Sequence, residues 1–189
     1  MELSVIYSRA LAGIEAPLVQ VETHLANGLP AFHIVGLPET AVRESKDRVR
    51  CAILNSHFTF PDRRITVNLA PADLPKDGGR FDLPIALGIL SASGQLPADH
   101  LPHHEFLGEL ALDGSLRPVP GVVAAAVAAC RAGRRAHVRG AALLNSAKRP
   151  KKSLARLQPV SVKHIQSKFS APSSATPAFR AYAGPRLPG

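Results

Sequence analysis

The chain has 189 residues, 46% of them apolar, which is enough for one domain with a substantial core and some additional chain. No apolar run approaches the roughly 18 residues that cross a membrane, and no basic segment precedes an apolar block at the N-terminus, so we expect neither a membrane span nor a signal peptide. Two cysteines, Cys51 and Cys130, are too few for a disulfide framework or a zinc site, and we expect reduced thiols in a cytoplasmic protein.

The net charge of +9 is distributed unevenly along the chain. Residues 1–133 contain 11 Lys and Arg and 14 Asp and Glu, whereas residues 134–189 contain 12 Lys and Arg and no acidic residue. We therefore predict a domain over residues 1–133 and a basic tail over residues 134–189. Few apolar side chains of the tail are spaced to build a core, so residues 140–189 are expected to be disordered.

Three strands are predicted at the start of the chain. Alternation of apolar and polar residues indicates strands at 5–11 and 17–25, and a third strand, Ala31–Val35, follows the turn signal Asn27-Gly28. Because short turns join these segments, we expect them to form an antiparallel meander.

A helix with one apolar and one charged face is predicted at residues 39–55, opened by Pro38. Arg43, Lys46 and Arg50 belong to the charged face. Glu44 and Arg48 have the spacing of an ion pair within the helix. A charged face of this kind is either only solvated or contacts DNA or a partner.

The segment from residue 64 to residue 90 combines a strand, a Gly-rich loop and a helix. The loop, residues 70–80, contains Gly78-Gly79, and the helix at 83–90 is predicted to have Asp82 as its N-cap. Such a loop can hold an anion because free N–H groups converge at a helix N-terminus. The alternative is a tight turn that leads into a well-capped core helix.

The remaining elements continue the alternation of helices and strands. Gly94 is predicted to end the helix, and His100, His103 and His104 follow in a link that we expect to be a surface loop, since no ligand spacing indicates a metal site. The elements predicted after this link are a strand at 106–112, a turn at Asp113-Gly114, a strand at 115–119 and a helix at 122–132 that Gly133 ends.

Three segments carry a resemblance to a known family: GLPAFHIVGLPETAVRESKDRVRCAI (28–53), RITVNLAPADLPKDGGRFDLPIALGIL (64–90) and FLGELALDGSLRPVPGV (106–122). They resemble the N-terminal domain of the magnesium-chelatase-like ATPases of bacteria, the ComM/YifB family, over about residues 1–133. The resemblance implies an α/β (α+β) fold, Lon-protease-like and related to part of a ribosomal protein, with a mixed sheet, about three helices and a left-handed crossover. It also implies a role in DNA branch migration during natural transformation, within a ring-shaped homo-oligomer.

The likeness to Lon raises the hypothesis of a peptidase with a Ser–Lys dyad. In Lon-type peptidases the serine lies in a loop of the form Lys-Asp-Gly-Pro-Ser-Ala-Gly. Here the loop is KDGGRFD (76–82), so Arg80 stands in the place of the nucleophile and Val123 in the place of the dyad lysine. Arginine has no hydroxyl that could attack a carbonyl. The resemblance therefore does not extend to peptidase activity.

The ATPase module of the family should begin with a P-loop of the form Gly-x-x-x-x-Gly-Lys-Ser/Thr. The 189-residue sequence contains no such motif. We therefore expect a noncatalytic accessory domain without a cofactor of its own, although the full-length family uses ATP and magnesium. We place DNA or partner contacts on Arg43, Lys46, Arg50, Lys76 and Arg80, because positive charge and predicted exposure coincide there. The alternative is that these residues are only solvated.

The basic tail has two interpretations. It is either a frameshifted or truncated readout of a longer gene, because the composition changes where the resemblance ends, or a natural extension. A natural tail would favour a second function, a standalone nucleic-acid binder that acts through phosphate charge.

Overall fold

The computed structural model describes residues 2–99 and 101–138. The strands are β1 Leu3–Arg9, β2 Leu18–Ala26, β3 Ala31–Val35, β4 Arg64–Ala70, β5 His104–Leu107, β6 Glu109–Leu110, β7 Leu116–Arg117 and β8 Arg135–Val138. The helices are α1 Thr40–Arg43, α2 Ser45–Asn55, α3 Asp82–Ala92 and α4 Val122–Arg131, with short 3₁₀ helices at Gly79–Phe81 and Leu101–His103. Six strands form one mixed sheet in the order β3-β4-β2-β1-β5-β8, and β6 pairs with β7 in a separate hairpin. The predicted mixed α/β class, with three helices of ordinary length, is confirmed.

The main core lies between the sheet and α3. Alternate residues of β2 and β4 are buried, and every residue of α3 is buried, as expected for a helix that is apolar on all sides. Gly88 lets this helix approach the sheet closely, because a Cβ there would lie 2.4 Å from Thr23 Oγ1. Ser4 Oγ donates a hydrogen bond of 2.7 Å to the Gly88 carbonyl oxygen.

Strand β5 is buried on both of its faces. Phe106 belongs to the main core, whereas Leu107 packs in a second cluster with Val122 and Ala125 of α4. Since successive residues of a strand face opposite sides of a sheet, α3 and α4 cover opposite faces of the sheet at β5.

The predicted antiparallel meander is wrong in its third strand. β1 and β2 are antiparallel as expected, but β3 pairs in parallel with β4, from Ala31 opposite Arg64 to Val35 opposite Asn68. The chain passes through α1 and α2 before it returns as β4, which is the crossover that a parallel pair requires. Local turn signals led to the error, because the true partner of β3 comes later in the chain.

The predicted helix at 39–55 is two helices that meet at Glu44. The ion pair predicted between Glu44 and Arg48 is also wrong, since Arg48 donates to the Ala41 carbonyl at 3.1 Å and to the carboxylate of Asp82. An exposed pair within one helix contributes only about 0.5 kcal/mol, so a contact with a buried carboxylate prevails over it.

Asp82 is not the N-cap of α3. The helix begins at Asp82 itself, and the preceding Phe81 makes no side-chain capping bond. The Asp82 carboxylate is engaged by Arg48 and by the backbone N–H of Leu110, which donates at 3.2 Å. Gly94 follows the helix with a φ of 74°, so its predicted role at the helix end is confirmed.

The predicted strand at 106–112 is divided into β5 and β6 by Gly108. Its N–H donates to the Arg80 carbonyl at 3.0 Å, and its carbonyl accepts from the Leu83 N–H at 3.0 Å. β5 starts at His104, which is therefore a buried strand residue and not part of a surface loop; His100 lies outside the described residues. The Asp113-Gly114 turn and the helix after Gly121 are confirmed.

The sheet continues past the predicted boundary at residue 133. β8 pairs in parallel with β5, from His104 opposite Arg135 to Leu107 opposite Val138. The change in composition therefore does not coincide with the end of the sheet. Arg135, the first residue of β8, is exposed and keeps its charge in water. The disorder predicted for 140–189 falls outside the described residues. Within residues 2–99 and 101–138, no helix is long and apolar enough to span a bilayer.

Candidate nucleic-acid and partner interface

The five cationic residues predicted as contacts lie in two different environments. Arg43 and Arg50 are exposed and Lys46 is partly exposed, all on α1 and α2. Lys76 and Arg80 are buried, with exposed fractions of 0% and 5%. The assumption of exposure was therefore wrong for Lys76 and Arg80 and right for the cationic residues of the helices.

We call Arg43, Lys46 and Arg50 the basic edge, because they accompany the edge strand β3. Lys46 Nζ lies 5.9 Å from the centroid of the Phe32 ring, and the guanidinium of Arg50 lies 4.8 Å from that of Phe60. Arg43 Nε donates to the Pro38 carbonyl oxygen at 3.2 Å. Contacts of a cation with a ring face orient the side chain while leaving its charge available.

A shallow groove of about 230 Å³ opens beside the basic edge. Two aromatic rings, Phe32 and Phe60, contribute to its lining with Arg50 and Arg63, and the ring centroids are 6.0 Å apart. Arg63 also donates to Glu2 and Asn27. Aromatic rings beside cations are the combination by which proteins bind nucleic-acid strands, the cations at phosphates and the rings at bases.

Lys76 ties the Gly-rich loop to the start of α1. Its Nζ donates to the Pro71 carbonyl oxygen, and its own carbonyl accepts from the Glu39 N–H at 3.1 Å. Burial lowers the pKa of Lys76, while the charge of Asp73 acts in the opposite direction. A lysine held inside the loop does not reach a DNA phosphate, so this predicted contact loses its basis.

Arg80 is buried without a hydrogen-bonding partner for Nη1 among the described residues. Burial lowers the pKa of its guanidinium, and the charge of Asp77 partly offsets that effect. Val123, which takes the place of the dyad lysine in the resemblance, is on α4 and 66% exposed. The two positions compared with a peptidase dyad therefore have opposite environments.

Sequence reasoning missed the aromatic part of the interface. Phe32 was read only as a strand residue, and Phe60 and Arg63 were not considered. The segment FTFPDRR (58–64), in which two aromatic residues are followed within a few positions by two arginines, was the available signal. In the described part of the chain, no group of three or more His, Cys, Asp or Glu could hold a metal.

Comparisons with known proteins agree with the resemblance. A family model described as subunit ChlI of Mg-chelatase matches residues 21–143. The Competence protein ComM of Haemophilus influenzae is 62% identical over 129 residues, which is 68% of this chain and 25% of the relative. Protein YifB of Escherichia coli is 54% identical over 135 residues, 71% of this chain and 27% of the relative. The chain thus spans about a quarter of the length of the curated relatives it matches.

Proposed function

The chain belongs to the family of the Mg-chelatase subunit ChlI, and we propose that it is a noncatalytic accessory domain of a ComM-type ATPase linked to DNA branch migration in natural transformation. The observation that carries this proposal is the 62% identity to a competence protein over 129 residues. The chain corresponds to the N-terminal region of longer ComM and YifB proteins. Catalysis would then belong to the remaining three quarters of those proteins.

Two features of this chain support a noncatalytic role. The sequence has no P-loop, so the ATP and magnesium of a ring-shaped assembly would be bound elsewhere. Arg80, in the place of a peptidase nucleophile, lacks a hydroxyl and is buried. The contribution that remains for this domain is binding.

The basic edge is where we place DNA. Arg43 and Arg50 are exposed, and Lys46 and Arg50 are oriented by the rings of Phe32 and Phe60. Three cations along one edge would contact successive phosphates, which positions DNA without reading its sequence. A domain with this property would guide DNA toward a motor.

A chimera tests the proposal. The corresponding region of the Haemophilus influenzae relative is replaced by residues 1–138, with and without Arg43→Gln, Lys46→Gln and Arg50→Gln. We expect the unmodified chimera to support transformation and the triple variant to lower its frequency at least tenfold. Arg131→Gln, at an exposed site on α4, is the control and should have no effect. A chimera that fails to support transformation, or a triple variant as active as the chimera, contradicts the proposal.

The charge of residues 134–189 favours a second candidate, a nucleic-acid binder that acts through its basic tail. These residues contain 12 Lys and Arg and no acid. Binding through the tail would weaken steeply with salt and would disappear when residues 139–189 are removed. Equal DNA affinity of the full and shortened chains excludes this candidate.

A further inference from the structure

The loop before α3 presents backbone N–H groups that have no partner. The N–H groups of Asp77, Gly78 and Gly79 donate to no other residue within the described chain. Gly78 has a φ of 73°, and no atom lies within 4 Å of the position that a Cβ would take there, so the loop is open on this side. The loop leads through one 3₁₀ turn into α3, an 11-residue helix whose N-terminus carries partial positive charge.

Arg80 adds a positively charged side chain to the same loop. The residue is 5% exposed, and Nη1 is buried with no hydrogen-bond acceptor in the described structure. The other buried arginine differs, since Arg9 donates to Glu105 at 2.6 and 2.8 Å and to the Ala16 carbonyl at 2.8 Å. Burying an N–H group without an acceptor is unfavourable, so an acceptor is missing beside Arg80 Nη1.

The Asp82 carboxylate at the start of α3 is bound by Arg48. Two further carboxylates lie beside the loop, and neither supplies that acceptor. Glu109 Oε2 is 2.7 Å from the position of a Cβ on Gly79, but its carboxylate pairs with Arg117, with Glu109 Oε1 3.3 Å from Arg117 Nη1. Asp77 is exposed, and its negative charge acts on Arg80 without forming a hydrogen bond to it. Asp77 would therefore compete with any anion that enters.

We propose that the loop from Asp77 to Arg80 binds a phosphate group, which accepts hydrogen bonds from the Arg80 guanidinium and from the N–H groups of Asp77, Gly78 and Gly79. Phosphate oxygens suit a guanidinium and a helix N-terminus together. The site is distinct from the basic edge and does not depend on the proposed function. The phosphate would belong either to a DNA backbone or to a small phosphate compound.

Thermal unfolding of the full chain in inorganic phosphate tests the site, with sodium chloride at equal ionic strength as the reference. A ligand that binds only the folded state stabilises it by RT ln(1 + [L]/Kd), so the Tm rises with the logarithm of the phosphate concentration once that concentration exceeds the dissociation constant. We expect the Tm of the native chain to rise with phosphate in this way, with a dissociation constant at least tenfold weaker for Arg80→Met and several-fold tighter for Asp77→Asn. Arg131→Met, on the far α4 surface, should respond like the native chain.

Three results overturn the proposal: no rise of Tm with phosphate in the native chain, an equal rise in Arg80→Met, or an unchanged dissociation constant in Asp77→Asn. The last variant keeps the test decisive if Arg80→Met fails to fold, because Asp77 is exposed. A purely structural pairing of Asp77 with Arg80 predicts instead that Asp77→Asn lowers the Tm and leaves the phosphate response unchanged.

A DNA oligonucleotide then distinguishes the two sources of phosphate. If the DNA backbone occupies the site, inorganic phosphate displaces the oligonucleotide more than chloride does, and Arg80→Met weakens its binding several-fold. If the ligand is a small phosphate compound, neither change affects oligonucleotide binding, while the rise of Tm with phosphate persists.

Discussion

The Asp82 carboxylate accepts two hydrogen bonds from Arg48, at 2.7 Å from Nε and 3.1 Å from Nη2, and so joins α3 to α2. The Asp82 side chain is 0% exposed, whereas that of Arg48 is 23% exposed, so the loss of hydration falls mainly on the carboxylate. Burial raises the pKa of Asp82 to about 6 despite the neighbouring cation. The same contact raises the pKa of Arg48, chiefly through the hydrogen bond to Asp82.

Asp82 should make the folded protein less stable as the pH rises from 4 to 7. The pKa is raised from an ordinary value of 3.8 to about 6 in the folded state, so between these values the folded protein binds more protons than the unfolded chain. The free energy of unfolding then decreases with pH. A shift of roughly two pH units corresponds to at most about 3 kcal/mol.

The measurement is denaturant unfolding at several pH values between 4 and 7 for the native chain and Asp82→Asn. The stability of the native chain relative to this variant should fall as the pH rises. Asp113→Asn is the control, because Asp113 is exposed and hydrogen bonds from Ser115 lower its pKa, whereas burial raises that of Asp82. Parallel pH profiles for the native chain and Asp82→Asn would contradict the assignment.

Arg48→Met should destabilise the domain by about 3–5 kcal/mol, because it leaves the buried carboxylate of Asp82 without its charged partner. Glu44→Gln should change the free energy of unfolding by less than about 0.5 kcal/mol, since Arg48 binds Asp82 and not Glu44. Chemical denaturation of the two variants at pH 7 checks this. Similar losses in both would show that Arg48 depends on the helix-internal pair after all.

The ion pair of Arg48 shows what sequence could and could not supply. The strand at β4, the buried helix α3 and the Asp113-Gly114 turn follow from local patterns of apolar residues and turn residues. Local spacing paired Arg48 with Glu44, but the actual partner is 34 positions away. The wrong pairing predicted for β3 has the same cause. The residues of a segment can show that it is a strand, but the strand with which it pairs depends on the path of the chain.

Gly88→Ala should destabilise the domain by about 1–3 kcal/mol, because the added methyl group would overlap Thr23 Oγ1, 2.4 Å from the Cβ position. Thr23→Ala in the same chain should recover much of this loss by removing the overlapping atoms. Thermal unfolding of the single and double variants measures the coupling. If the stability changes caused by Gly88→Ala and Thr23→Ala are additive, the two residues are not in tight contact between α3 and β2.

A chain that ends at residue 133 should be less stable than one that ends at residue 138. The shorter chain loses β8 and Arg134, whose guanidinium lies 4.1 Å from the centroid of the Tyr7 ring and 3.6 Å from Glu105. Arg134→Ala alone should destabilise the longer chain by about 1 kcal/mol. Equal melting temperatures of the two chains would show that β8 adds nothing to the fold.

The candidate interface was predicted only in part. Positive charge on the exposed face of α1 and α2 is visible in the sequence, because helical spacing separates Arg43 and Arg50 from the apolar face. The burial of Lys76 and Arg80 could not be predicted from the sequence. A loop that contains glycines and charged residues has the same sequence pattern whether these side chains are exposed or buried. The rings beneath Lys46 and Arg50 come from β3 and from the segment before β4, which only the folded chain brings together.

The central claim is that the basic edge contacts DNA, and the salt dependence of DNA binding tests it most directly. Each cation at a duplex phosphate contributes about 0.9 to the slope of log K against log salt, so Arg43→Gln, Lys46→Gln and Arg50→Gln together should lower the slope by about 3. The comparison is made in the full chain and in a chain ended at residue 138, with Arg131→Gln as control. The account predicts this loss in both chains. An unchanged slope in the full chain, with binding abolished by removal of residues 139–189, would contradict it.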